Sequence, residues 1–577
     1  PQMERVIHRR AHPAIDLSVA GLHPLLARIY AARGVASSEE LALGLDQLLP
    51  PTTLHRAEEA GQLLADAVMQ QSRILVVGDY DADGATSTAL ALASLRAMGA
   101  EQVDYLVPNR FDYGYGLTPE IVALAEPRSP DLIITVDNGI SSIEGVAAAR
   151  AAGIRTLVTD HHLAGSELPL ADVIVNPNQP EDRFPSKALA GVGVMFYLLG
   201  AVRSLLRERG WFGPCRREPQ LAQFLDLVAL GTVADLVPLD HNNRILVAQG
   251  LERIRRGLAR PGVMALLRHG KRDYRYASAS DLGFAVGTRL NAAGRLEDMA
   301  TGIRCLLTGD ADEADRLAAE LDELNRRRKG MQEEMQQAAL TQALALVDSL
   351  AGGATHSAIC LFDPGWHQGI VGLVASRVKD AVQRPVVAFA PEEDGASLLK
   401  GSARSVRGLH IRDALALVDA RHPDLLRAFG GHAMAAGLSL DAARLPEFEQ
   451  ALDDAVTTVL DGAELSETLW TDGSLAPGEL ALETSLALER AGPWGQRFPE
   501  PVFDDHFDVL EQRVVGGSHL KMVVERHGGG APLDAIAFNR LPDDLPPGGP
   551  VRLLYRLGVN RWRGNESCQL MVEEIVA

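Results

Sequence analysis

Four compact apolar runs, RILVVG (73–78), VDYLVP (103–108), DLIITV (131–136) and IRTLVT (154–159), begin 23 to 30 residues apart, with helical stretches between them. That alternation restricts the segment to a parallel, doubly wound α/β sheet, because parallel neighbours need a crossover and a helix makes one compactly. GATSTALALASLRAMGA (84–100) and segments near 118–125 and 142–152 supply the crossovers. In open parallel sheets, ligands gather beyond the carboxyl ends of the strands. Three such ends carry acids or histidines here: Asp79, Asp81 and Asp83 after the first strand, Asp137 after the third, and Asp160, His161 and His162 after the fourth.

A single aspartate after a strand is most often a helix cap, and a lone His-His pair is an ordinary surface feature. Clusters at three strand ends of one sheet are not explained that way. Residues two apart in an extended segment project alike, so Asp79, Asp81 and Asp83 share a face, and Gly84 lets the chain turn and draw them together. GDYDADG (78–84) has the composition of a calcium loop but lacks the glutamate at its twelfth position. Carboxylates with imidazole and no thiolate suit Mn²⁺ or Mg²⁺, and four acidic ligands balance two divalent cations. Adjacent histidines in an extended segment cannot both reach one point, so one is expected at the metal and the other at the substrate. A pair of cations about 3.5–4 Å apart breaks phosphate esters.

The remainder of the 577 residues is too long for one core. Residues 1–50 read as short helices, with SSEE (37–40) as a helix start, and 187–310 as mainly helical. A proline-free polar helix over about 310–350 leads to a second α/β unit, and short β-runs beyond about 465 predict a small barrel or sandwich. Net charge is −20, which speaks against a nucleic-acid binder, but arginine-rich runs at 202–217, 253–260, 268–275 and 326–329 break the average. No apolar stretch approaches a membrane span, and four scattered cysteines fit a reducing compartment. The expected location is the cytoplasm. Arg552, Tyr555, Arg556, Arg561, Trp562 and Arg563 interleave cations with rings, as a sequence-tolerant single-strand binder needs. Arg110 follows the second strand at the same sheet edge as the acids, where a guanidinium can grip a phosphate. GGHAMAAG (430–437) calls for close backbone approach, to a nucleotide or between helices.

GDYDADGATS, VDNG (136–139), TDHH (159–162) and GTVADLVPL (231–239), in this order, resemble the motifs of the DHH phosphoesterase superfamily, and within it the RecJ exonucleases. PNRFDYGYGL (108–117), RLNAAGR (289–295), GWHQGIVGLVASR (365–377), GSARS (401–405) and GGHAMAAG extend the resemblance along most of the chain. It implies a DHH domain at 51–310 after the N-terminal segment, a connecting helix at 311–350, a DHH-associated α/β domain at 351–462 and an OB-fold at 463–577. It also implies Asp79, Asp81, Asp83, Asp137, His161 and Asp235 as ligands of two Mn²⁺ or Mg²⁺ ions, with His162 and Asp83 catalytic. Many relatives outside the nuclease branch carry a histidine where Val77 stands, a role that Asp79 is expected to take over here. Arg110, Ser402 and Arg404 become candidates for a 5′-terminal phosphate, Asn291 and Arg295 for the backbone near the cut, and His432 for a further substrate contact. The implied activity is 5′→3′ hydrolysis of single-stranded DNA in repair and recombination, by a monomer whose partners are single-stranded-DNA-binding protein and a helicase. The alternatives are a DHH-type oligonucleotide or cyclic-dinucleotide phosphodiesterase, and a non-catalytic replication scaffold.

Overall fold

The computed structural model describes residues 5–13, 17, 21–109, 113, 115–349, 357–393, 397–460 and 467–576. The N-terminal segment is not purely helical. Strand β1 (Arg5–Arg9) pairs with β12 (Glu467–Thr471), and SSEE forms a single 3₁₀ turn, Ser38–Leu41. An isolated five-residue run contains no period that distinguishes strand from helix, and its partner lies far along the chain.

Strands β2 (Ile74–Gly78), β3 (Val103–Leu106), β4 (Leu132–Val136), β5 (Arg155–Thr159) and β6 (Val173–Val175) form one sheet in the order β3-β2-β4-β5-β6, parallel throughout. The central strands β2 and β4 are buried at every position, which is why they read as unbroken apolar runs. Leu75, Val77, Ile133 and Val158 join Ile121, Val122, Val146 and Ala149 of the crossover helices in one core. The helices Ala82–Ala97 and Gly191–Glu208 also pack on the sheet. The strand order reverses between β2 and β4, and this is the switch point where such sheets open a crevice. Register makes the crevice useful. Gly78 pairs with Val136 and Val136 with Thr159, so Asp79, Asp137 and Asp160 leave three adjacent strands at one level.

The contacts divide the chain into two compact units, Arg9–Asp322 with Trp470–Ala577, and Glu323–Leu469 with Pro1–His8. The helix Ala311–Ser349 runs from the first into the second. In the second unit, β7 (Ile359–Phe362), β8 (Val386–Pro391), β9 (Leu398–Arg404), β10 (Ala428–Gly431) and β11 (Ala435–Asp441) form a sheet ordered β10-β11-β9-β8-β7, parallel only between β7 and β8. GGHAMAAG therefore does not pack helices. It turns the β10–β11 hairpin, and Gly431 (φ +141°) lies where a Cβ would come within 2.5 Å of Ala436 Cα.

At the C-terminus β13 (Phe503–Val515), β14 (His519–Arg526), β15 (Leu533–Ala537), β16 (Val551–Trp562) and β17 (Asn565–Val576) close a five-stranded barrel in the order β13-β14-β15-β17-β16, its one parallel pair being β15 with β17. Phe503, Phe507 and Tyr555 fill it, and the Tyr555 hydroxyl donates to Asp505 at 2.7 Å. Most of the expected cation-and-ring set is thereby structural. Arg556 bonds Glu500 and Glu573, while Arg561 bonds Glu489 and Glu566 and lies 3.8 Å over the Tyr276 ring. Trp562, 67% exposed, and Arg563 beside it remain at the tip of the β16–β17 hairpin.

Asp504 ties the barrel to the chain's beginning. Its carboxylate accepts from Arg9 (3.1 and 2.8 Å), Thr471 (2.6 Å) and Arg552. Burial opposes its ionisation, yet these donors hold the carboxyl below its ordinary range. A folded value below the unfolded one adds stability above the usual carboxylate range, which is lost as pH falls through the folded value. Asp504→Ala is expected to lower the stability of this unit by about 2–3 kcal/mol in urea titrations at neutral pH, and by progressively less under acid conditions.

Candidate metal centre

The loop after β2 enters its helix by a cap. Asp81 accepts from the Gly84 amide at 2.9 Å, and at Gly84 a Cβ would lie 2.4 Å from the Asp79 carbonyl oxygen. Capping leaves the second Asp81 oxygen for other work. Asp83, one residue into the first turn, is fully buried and aims at a different helix. Its oxygens accept from the Gly191 amide at 2.6 Å and the Val192 amide at 2.9 Å, the positive end of the helix Gly191–Glu208. That helix comes so near that a Cβ on Gly191 would stand 2.6 Å from Asp137 Cβ. Asp137 itself adopts left-handed backbone, φ +60°, and the neighbouring Asn138 amide donates to the ends of both central strands, at Val77 O and Val136 O.

The two adjacent histidines diverge as extended geometry requires. His161 Nε2 lies 3.1 Å from Asp137, 3.4 Å from Asp235 and 3.9 Å from Asp83. His162 Nδ1 turns instead to Asp160 at 2.7 Å, and its ring meets that of Tyr115 edge-on at 5.8 Å. Burial and the neighbouring His162 push His161 down to about 4, so it is the neutral imidazole a cation requires. For His162 burial opposes charge, but the Asp160 carboxylate outweighs it and raises the ring to about 9. Burial together with neighbouring acids raises Asp83 to about 7 and lifts Asp137 and Asp235 well above the ordinary range.

Three overlapping donor sets result, each with donor atoms within 4.8 Å of one another: Asp83 with His161 and Asp235, Asp79 with Asp81 and Asp137, and Asp137 with Asp160, His161 and His162. Asp137 Oδ1 and His161 Nε2 are buried without a hydrogen-bond partner, though 3.1 Å apart. Unpaired buried acceptors in a carboxylate-rich pocket are costly unless cations complete them. Oxygen and imidazole donors with no thiolate fit Mn²⁺ or Mg²⁺. Val77 is packed in the sheet core, so the acid supplied from this strand is Asp79.

The chain matches one curated relative almost end to end. It is 52% identical over 580 residues to the single-stranded-DNA-specific exonuclease RecJ of Escherichia coli, covering 100% of this chain and 99% of that protein. The chain belongs to the RecJ family. The Bacillus subtilis RecJ is 34% identical over 96% of this chain and 68% of its own length. Crystal structures of Thermus thermophilus RecJ with Mn²⁺ and with Mg²⁺ match at TM-scores of 0.80 and 0.76, 31% and 30% identity, covering 99% of this chain and 80% and 78% of those chains. The DHH family N-terminal domain matches residues 73–232, the DHHA1 domain 354–458 and the RecJ OB domain 471–574.

Within this RecJ-family chain the expected substrate residues separate. Asn291 Oδ1 accepts from the Ala82 amide at 2.8 Å, so its carbonyl orders the acidic loop. Arg295 lies on the same helix, Thr288–Leu296. Ser402 and Arg404 meet on β9 in the other unit, with Arg404 Nη1 2.9 Å from Ser402 Oγ beside Gly372. Burial lowers Arg404. His432 is exposed at the β10–β11 turn, its amide bonded to the Ala435 carbonyl. Arg110 lies outside the described residues. Sequence reasoning missed Asp160 as the anchor of His162, and it missed Tyr115, whose hydroxyl lies 3.1 Å from His162 Nδ1 and 3.3 Å from the Asp137 carbonyl. Both stand inside motifs already noticed, but a hydrogen-bonding role leaves no spacing signature.

Gly191→Ala is expected to displace Asp137 and weaken Mn²⁺ binding by about 10- to 100-fold, as outer-shell changes do, measured by isothermal titration. Unchanged affinity would show that the close approach is not needed.

Proposed function

We propose that the chain is a two-cation, single-stranded-DNA-specific exonuclease that releases nucleotides in the 5′→3′ direction, acting in DNA repair and recombination. The observation that carries the proposal is the three donor sets joined through Asp137 and His161, with the buried Asp137 Oδ1 and His161 Nε2 left unpaired for cations. Asp79, Asp81, Asp83, Asp137, His161 and Asp235 would hold two divalent cations, which would supply activation of water and stabilisation of the oxygen leaving a phosphodiester. Asp83 is fixed by two backbone amides, so the set is preorganised and does not collapse around each turnover. His162, protonated near neutral pH because Asp160 faces it, presents a positive edge to the phosphate and can hold a proton for the leaving oxygen.

Arg404 with Ser402 is assigned to a 5′-terminal phosphate together with Arg110, Arg295 to the backbone near the cut, and His432 to a further contact. Arg404 supports this, being a half-buried guanidinium that donates to the Ser402 hydroxyl and the Ala403 carbonyl. The barrel has the strand order of oligonucleotide-binding folds and presents Trp562 and Arg563 on a hairpin between its last two strands, one of the positions where such folds bind oligonucleotides. No helix among the described residues is long and apolar enough to cross a membrane. The proposal carries with it a cytoplasmic monomer that takes strands opened by a helicase and coated by single-stranded-DNA-binding protein.

Digestion of 5′-labelled and 3′-labelled single strands with Mn²⁺ tests class and polarity together. Mononucleotides released first from the 5′ end are expected, with at least about a thousandfold loss in Asp83→Ala or His161→Ala. Release from the 3′ end, or full activity in either variant, would overturn the assignment. Trp562→Ala combined with Arg563→Ala is expected to weaken single-strand binding about tenfold without changing Mn²⁺ affinity, as read by fluorescence anisotropy.

A further inference from the structure

One wall of the metal centre contributes none of its donors. The π-helical turn Leu282–Gly287 runs directly into the helix Thr288–Leu296. The turn rests on the end of the helix Leu225–Ala234, where Cβ atoms at Gly283 and Gly287 would stand 3.4 Å from Val233 and 3.1 Å from Ala234. The following helix rests on the acidic loop: Asn291 holds the Ala82 amide, and a Cβ at Gly294 would collide with the Tyr80 carbonyl oxygen. The segment therefore spans from the residue before Asp235 to the residues between Asp79 and Asp83, following the rim of the donor sets.

Two large apolar side chains stand in solvent on this rim. Phe284 is 74% exposed, although Leu282, Ala285 and Val286 around it are buried. A π turn inserts one residue per turn, which rotates Phe284 off the buried stripe, and such turns cluster at functional sites. Leu236 is 68% exposed, follows Asp235 directly, and is held in left-handed backbone at φ +60°. Neither exposure helps the fold, since an apolar ring in water gains nothing from burial it does not have. Leu236 adjoins the donor Asp235, Phe284 stands on the turn packed against Val233 and Ala234 just before it, and a phosphodiester held at those donors carries a base within one nucleotide on either side. An aromatic face takes any base, because every base has a π-face.

We infer that Phe284, with Leu236 on the same rim, is the platform on which a nucleobase adjoining the scissile phosphate stacks. The inference rests on the exonuclease assignment. It places a sequence-tolerant base contact at the metal centre itself, separate from the barrel.

The test uses the full chain, Phe284→Ala and Phe284→Trp, with 5′-phosphorylated single strands carrying one abasic site walked inward from the 5′ end. The wild type is expected to show one position at which base removal raises KM about tenfold. Phe284→Ala should raise KM about tenfold on the intact strand, leave kcat within about twofold, and lose the abasic effect at that position. Phe284→Trp should restore both. An unchanged KM, or a raised KM with the abasic profile intact, overturns the inference while leaving the exonuclease assignment standing. A loss of kcat accompanied by weakened Mn²⁺ binding also overturns it, because the ring would then support the centre and not the base. Absence of nucleotide release by the wild type overturns the exonuclease assignment, and this inference with it.

Discussion

Five aspartates and a histidine converge beyond the strand ends, buried or partly buried, and the arrangement around them answers their mutual repulsion. Burial raises Asp83, Asp137 and Asp235, and each is raised further by its neighbours. The protein offsets part of this itself, by aiming the amides of Gly191 and Val192 at Asp83. The rest falls to divalent cations. Folding and cation binding are thus linked: the geometry that suits two cations is also the one that would loosen without them.

That geometry depends on a flush edge. Adjacent strands β2, β4 and β5 end in register, so three loops begin side by side at the point where strand order reverses. Helix termini then finish the work. The helix Ala82–Ala97 begins with Asp81 as its cap, Gly191–Glu208 presents its amides, and Leu225–Ala234 ends at Asp235. His161 and His162, one residue apart, divide into a neutral donor and a charged one because Asp160 pairs with only the second.

Much of this was legible from residues alone. Period and apolar runs disclosed the parallel sheet, and the acids after its strands disclosed where chemistry would sit, since both follow from local pattern. The barrel was legible as a series of short strands. Its function was less so: Tyr555 and most of the arginines named for DNA are instead bonded within the barrel or to nearby acids, because a sequence does not say which face of a strand turns inward until the barrel closes. The strand at Arg5–Arg9 and the three-residue β6 escaped notice, being too short to carry a period.

What the sequence by itself determined is the set of donors and their chemistry: oxygen and imidazole ligands, no thiolate, set at the ends of parallel strands. Tertiary structure decided which of those donors meet, and what holds them. Asn291 became a tie for the Ala82 amide, Asp160 the anchor of His162, and Gly191 the space beside Asp137. The reason is physical. Residue type limits what an atom can bind, but only contacts between segments distant along the chain determine which atoms come within bonding distance.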